Sequence, residues 1–324
     1  MRYLKLLYLL LVISMVSCST DQEADLSSSI IDELLIIAPA SPGGGWDQTA
    51  RLIQDALVQE DLVRNAQVIN IPGAGGSIGL AQLANGTFDG SNVIMMSGLI
   101  MLGATITNDS PITLNDTEGL ARLIGEYEVL VVPASSPYQS LDEFLDAWRL
   151  DPGSLAVAGG SAGGTDHMLL GLMAIEQGIN PSEINYLPHS GGGESLASIL
   201  GGHVSAGLNG LGELLPFIQS ERVRALAVSS PERIEGIDIP TFIELGHDIE
   251  LSNWRSVITY SNQSAEIMEA YSLLIERLVA TDSWGEIIER NNWSDLYLEK
   301  NDFDSFMTSE QIIVADVLES IGLN

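Results

Sequence analysis

Four glycine-rich segments punctuate this chain, and each lies between a run of β-forming residues and a helical pattern. They are Pro39 to Asp47, Pro72 to Ser77, Gly159 to His167, and His189 to Glu194. This strand–loop–helix succession constrains the fold more than any other feature. Short β-like runs occur at Leu34–Ala38, Gln67–Ile71, Asn92–Met96, Glu128–Val132, Ser154–Ala158, Ile184–Leu187, Val204–Leu208 and Arg224–Ser229. Helical spacing marks Trp46–Gln59, the stretch from Ser77, Leu141–Leu150, and the stretch through Met168, Leu169, Leu172 and Met173. Strands alternating with helices predict an α/β fold rich in parallel sheet.

The C-terminal part reads differently. Ile267, Met268, Tyr271, Leu274, Ile275 and Leu278 form an i, i+3/i+4 stripe, and Phe303–Ile321 has the same character. Such stripes are core-facing helix surfaces. No Pro/Ser-rich linker follows residue 30, so two lobes would have to be joined by strands that cross between them. Glu128–Pro133 and Asn253–Tyr260 are the candidates.

The glycine loops favour anions. A helix start leaves its first amides without acceptors and carries partial positive charge. Glycine lets backbone approach a ligand closely. Carboxylates and phosphates both suit such a site. The nucleotide versions fail on sequence: the two lysines, Lys5 and Lys300, lie outside any such loop, and Ile78 occupies the third glycine position after Gly73 and Gly75. Gly159-Gly160-Ser161-Ala162-Gly163 matches a nucleophile elbow, with Asp238 and His247 in the right order for a serine hydrolase. That short pattern arises readily in glycine-rich sequence. The four histidines, His167, His189, His203 and His247, form no metal-ligand pair, and no cofactor motif is present. His167 and His189 border glycine loops and are placed for a ligand or for local hydrogen bonds. Asp47, Asp166 and Glu194 sit at helix starts, where capping competes with a ligand role.

Acidic residues outnumber basic ones 44 to 13, a net charge of −31. Nucleic-acid binding needs a basic footprint, which is missing. The acidity does not bar an anionic ligand, because at ~0.15 M salt charges beyond about 8 Å are screened. At the N-terminus, Arg2 and Lys5 precede an apolar core, Leu6 to Val16, and then Ser17-Cys18. This reads as a signal peptide over 1–17 and resembles a bacterial lipoprotein's lipobox, with Met15 where Leu is usual. Cys18, the one cysteine of the chain, is the expected lipid acceptor; otherwise it leaves with the signal segment. Residues 18–30 would form a flexible tether.

In their order and wording these loops resemble the tripartite tricarboxylate transporter substrate-binding (Bug) family, in its tricarboxylate-binding branch. The matching segments are Ala38–Asp47, Asn70–Gly79, Gly160–His167, Ser190–Glu194, Leu200–Val204, Arg224–Ser230, Pro240-Thr241 with Glu244 and Gly246, and Asn253-Trp254-Arg255. Ser205 stands where many relatives carry Asp, and Ser256 where many carry Gly. The resemblance implies a two-lobed Venus-flytrap fold, with one lobe at 31–130 plus 255–324 and the other at 131–254. It implies capture of a di- or tricarboxylate, citrate-like by branch, by backbone amides and lobe closure, with no enzymatic step. The partner would be a membrane permease with one large and one small subunit; a histidine-kinase ectodomain is the alternative. The expected ligand-side residues are Ser41, Gly43, Gly44, Trp46, Asp47, Ser97, Ser161, Ala162, Thr165, Asp166, His167, His189, Gly192 and Glu194.

Overall fold

The computed structural model describes residues 31–189 and 191–323. The expected signal peptide, Cys18 and the tether lie outside the described residues. In chain order the elements are β1 (Glu33–Ala38), α1 (Gly45–Gln59), β2 (Asn65–Asn70), α2 (Ser77–Ala84), β3 (Val93–Gly98), α3 (Leu99–Thr107) and β4 (Thr117–Pro133). There follow α4 (Leu141–Leu150), β5 (Ala156–Gly159), α5 (Thr165–Glu176), β6 (Asn185–Pro188), α6 (Gly192–Leu200), β7 (Ala206–Gly210), α7 (Leu211–Gln219) and β8 (Val223–Val228). The chain ends with β9 (Ser252–Tyr260), α8 (Ala265–Val279), α9 (Asp282–Asn291), β10 (Ser294–Leu298) and α10 (Lys300–Ser320).

The strands run β2-β1-β3-β9-β4-β7-β5-β6 through one curled α/β sheet system, with β8 and β10 also pairing β4. Both wings are parallel: β2, β1 and β3 on one side, β6, β5 and β7 on the other. The centre is antiparallel, because β4 is common to both wings. Its residues 117–127 pair with β9, and 128–133 pair with β7 and β8. Seventeen residues of strand extend about 55 Å at ~3.3 Å each.

The sequence pattern marks only the end of β4. Upstream, Gly119 and Gly125 dilute the strand signal, and both are there for space. A Cβ at Gly119 would meet the Phe303 ring at 2.9 Å, and one at Gly125 would run into Leu296 and Ser252. The register also slips twice against β9, which breaks the alternation that marks a strand. From Val129 to Val132 the residues alternate between faces. Leu130 and Val132 join Phe144, Trp148, Leu169 and Leu208, while Val129 and Val131 join Ile199, Leu211 and Leu214. Helices cover both faces, hence the unbroken apolar run. A third and larger core draws on residues 31–124 and 254–321 together with Met168, centred on Ile36, Leu80, Met96, Leu274 and Leu318. No described helix is long and apolar enough to cross a membrane.

Candidate functional site

Two loops from different parts of the chain reach one cavity with the same backbone. In the first, the Ser41 carbonyl accepts the Gly44 amide at 3.1 Å, Gly43 adopts φ +85°, and Gly44 (φ −77°, ψ 166°) precedes α1. In the second, the Ser161 carbonyl accepts the Gly164 amide at 3.0 Å, Gly163 adopts φ +72°, and Gly164 (φ −80°, ψ −179°) precedes α5. The closing contact repeats too. The Gly43 amide donates to Asp47 Oδ2 at 2.8 Å, and the Gly163 amide donates to His167 Nδ1 at 3.3 Å, four residues on in each case.

Neither helix start carries a side-chain cap. Its first amides therefore have no intrahelical acceptor and hold partial positive charge. The same is true of α2, α6 and α7, which begin after Gly76, Gly191 and Gly210. Gly44, Gly76, Gly191 and Gly210 all line a cavity of about 900 Å³. Helices α4, α8 and α9 are instead capped by Ser140, Ser264 and Thr281, none of which lines that cavity.

The expected residues divide into two sets. Ser41, Gly43, Gly44, Trp46, Ser161, Ala162, Asp166, His189, Gly192 and Glu194 line the cavity. Asp47, Ser97, Thr165 and His167 lie behind its wall. Asp47 is buried and is held by Asn70 at 2.8 Å and by Arg51 at 2.9 Å. Burial pushes the Asp47 carboxyl up, but Arg51, the Gly43 amide and Asn70 together hold it below its usual value. Ser97 is fully buried, and it is its carbonyl that accepts the Trp46 indole N–H at 3.2 Å. The Thr165 hydroxyl is buried with no hydrogen-bond partner among the described residues. His167 stacks on Tyr186 at 4.1 Å, and burial pushes its imidazole down to about 4. It is neutral at pH 7, as its acceptor role toward Gly163 requires. His189 lines the cavity through a ring fixed by the Gly159 carbonyl (3.1 Å) and Ser198 Oγ (2.9 Å).

The hydrolase arrangement does not assemble. His247 Nδ1 pairs with Glu176 at 2.9 Å, at the last turn of α5, while Ser161 precedes the first. Twelve residues of helix separate these ends by about 18 Å. Asp238 is engaged by Arg233 at 2.9 Å.

Residues outside the expected set complete the cavity: Glu126 and Glu128 from β4, Asn209 from β7, Glu213 from α7, and Asn253 and Arg255 from β9. Arg255 pairs with Glu126 through Nη2 and donates to Thr49 Oγ1 at 2.8 Å through Nη1. Glu126 Oε1 accepts the Gly212 amide at 3.2 Å. Asn253 donates to Glu128 Oε1 at 3.3 Å, and Asn209 to Glu213 Oε2 at 3.2 Å. The Gly160 amide donates to Asp166 Oδ2 at 2.5 Å. Burial drives the Glu128 carboxyl well above the usual range, helped by the charges of Asp166, Glu126 and Glu213. Burial likewise lifts Asp166 to about 6, against the Gly160 amide and a hydrogen bond with Glu128, and with the Glu126 charge adding to the rise. Burial and the Glu126 charge lift Glu213 to about 7, against Asn209 and Arg255. The sequence does hold a trace of this floor, in charged residues set within otherwise apolar strands: Glu126 and Glu128 in β4 and Arg255 in β9.

Comparison with known proteins bears on this arrangement. Residues 49–323 match the family model described as tripartite tricarboxylate transporter family receptor. Protein BugT of Bordetella pertussis is 30% identical over 238 residues, covering 72% of each chain. A TctC solute-binding protein from Polaromonas superposes with a TM-score of 0.66 at 26% identity, over 89% of this chain and 98% of that one. MatC of Rhodopseudomonas palustris, solved with bound malate, has a TM-score of 0.79 at 18% identity, over 89% and 99%.

Proposed function

This chain belongs to the tripartite tricarboxylate transporter receptor family, and from that premise we propose that it captures a small carboxylate between its two glycine loops and delivers it to a membrane permease. The members of this family are solute-binding receptors, not enzymes. The observation that carries the ligand class is the duplicated loop. Two uncapped helix starts, built on the same serine-to-glycine turn, border one cavity, the first through Ser41 and Gly43 to Trp46, the second through Ser161, Ala162 and Asp166. A carboxylate offers two oxygens with lone pairs for such amides. Hydrogen bonds to a charged group contribute roughly 1.5–3 kcal/mol each. Three or four therefore reach the ~8 kcal/mol of micromolar affinity before association costs are subtracted. Arg255 is already committed to Glu126, so the attraction comes from amides rather than a cationic side chain.

In this reading the lobes are residues 31–130 plus 255–324 and residues 131–254, and they move about β4 and β9. The permease has one large and one small subunit, and Cys18 tethers the receptor to the membrane by a lipid. The citrate-like di- or tricarboxylate expected from sequence belongs to the first panel to be tried, with malate, the acid bound to MatC.

Thermal denaturation of the full chain against mono-, di- and tricarboxylates tests the ligand class. A ligand at a thousand times its Kd stabilises by about 4 kcal/mol. A rise in melting temperature with at least one acid is expected. No shift with any carboxylate would overturn the reading.

A further inference from the structure

The cavity has two polarities, and loop amides account for only one. Its described lining carries five acids, the exposed Glu194 and the more enclosed Glu126, Glu128, Asp166 and Glu213, against one cation, Arg255. Arg255 and Glu126 neutralise each other. Glu128 is 1% exposed, and its buried Oε2 has no N–H or O–H donor among the described residues. The polar group that Glu128 meets besides Asn253 is another carboxyl, Asp166, so those two can hydrogen-bond only by sharing a proton. Glu213 accepts one hydrogen bond, from Asn209. Even with a proton shared between Glu128 and Asp166, that pair keeps one negative charge, and Glu213 adds to it as it ionises. A second or third carboxylate on the ligand would add to that charge.

We propose that the carboxylate captured here also bears an ammonium group, seated on Glu128, Asp166 and Glu213 while the carboxylate lies at the glycine loops. The inference rests on the carboxylate reading of those loops and names the other end of the same ligand. Three N–H donors on one small cation can take the place of the proton that Glu128 and Asp166 otherwise share, and offset the excess charge. A metal ion is a poorer fit, since no group of three or more described His, Cys, Asp or Glu side chains is arranged to hold one. A quaternary ammonium is also a poorer fit, because Trp46 is the only Trp, Tyr or Phe among the described lining residues and such groups are recognised by several aromatic faces.

The ammonium has a pH signature. The groups facing these acids are Glu126 on β4, Tyr186 on β6 and Arg255 on β9, besides the acids themselves. Without a ligand, Asp166 is lifted to about 6 and Glu213 to about 7. A bound cation favours their ionised forms, so binding releases protons and tightens as pH rises from 6 to 8. A ligand with only carboxylates does the reverse, taking up protons and weakening over the same range.

Calorimetric titration of the full chain with matched acids decides the matter. The pairs are succinate and aspartate, adipate and 2-aminoadipate, and the alkanoates from propionate to hexanoate with their ω-amino forms. In at least one pair the amine should improve affinity by about tenfold or more, the effect of a single charge-assisted contact, and its affinity should rise with pH. Glu213→Gln and Glu128→Gln should each reduce that gain, read as the ratio of the amine's affinity to that of its amine-free partner in the same variant. Amine-free acids that bind as well as their amino partners, or an amine gain untouched by both substitutions, would overturn the ammonium and leave the carboxylate reading standing. Alkylamines that bind while no carboxylate does would overturn the carboxylate reading. Silence from every probe would overturn both. Stabilisation by Mg²⁺ or Ca²⁺ alone, abolished by Glu128→Gln, would replace the ammonium with a metal ion.

Discussion

Residues 41–47 and 161–167 trace nearly the same backbone and differ in what they hang on it. Where the first loop has Trp46 the second has Asp166, and where the first closes on ionised Asp47 the second closes on neutral His167. The shared part brings both helix starts to the cavity, through Ser41 to Trp46 in one and through Ser161, Ala162 and Asp166 in the other. The differing part sets the polarity beside them: an indole anchored on Ser97 on one side, and a carboxyl coupled to Glu128 on the other. The loops are also braced differently. Gly45 packs on the Arg255 guanidinium, within 2.6 Å of where its Cβ would lie. Gly163 is pressed by Thr107 from α3. One backbone device thus recurs at the cavity with different side chains beside it.

The largest expected effect separates the two braces. Arg255→Met leaves Glu126 buried and unpaired beside the first loop, which should cost about 3–5 kcal/mol in denaturant unfolding. No salt bridge holds the second loop among the described residues, so no single substitution there should cost as much by that route. Next comes a glycine pair. Gly163→Ala adds a Cβ at positive φ against Thr107 and should cost about 3 kcal/mol. Gly43→Ala, at the equivalent position with open space around it, should cost only about 1 kcal/mol. Equal costs would mean that the loops are not packed as described.

The closing residues differ in pH response. The folded value of His167, about 4, lies below its ordinary 6.5. Its contribution is therefore complete above pH 6.5 and is lost as pH falls toward 4, at most about 3 kcal/mol. His167→Gln should remove that slope from the difference between variant and wild-type stability curves. Asp47, also depressed, should act only below its ordinary 3.8, so Asp47→Asn should leave the pH 4–6.5 window unchanged. The smallest effect concerns caps away from the cleft. Ser140→Ala should cost about 1 kcal/mol without altering ligand affinity, because the Ser140 oxygen serves the Glu143 amide of α4 and not a ligand.

The glycine loops were legible in the sequence because glycine next to a strand end and a helix start has few other uses. Their pairing into one backbone motif was half visible, in Ser41-Pro42-Gly43-Gly44 beside Ser161-Ala162-Gly163-Gly164. The acid floor left only a trace in the sequence. Glu126 and Glu128 lie in a β4 segment interrupted by glycines and register slips, and Asp166, Glu213 and Arg255 come from three other elements. Only the fold brings them together, and a charge in a strand does not announce which neighbour it will meet. Asp166 was expected on the ligand side and lines the cavity, but its coupling to Glu128 was hidden, since an acid at a helix start reads first as a partner for the dipole. Helices α3 and α7 escaped the pattern reading for another reason. They are nine residues each, too short for a stripe to stand out.

The central claim is that one carboxylate is held by both loops through backbone amides. Amide ¹H–¹⁵N spectra of the full chain, titrated with the tightest-binding acid of the panel, test it most directly. The account predicts that amides within 43–47 and 161–167 shift together, with one common Kd, and that the methyl ester of that acid leaves them in place. Shifts confined to one loop, or an ester that reproduces them, would contradict it.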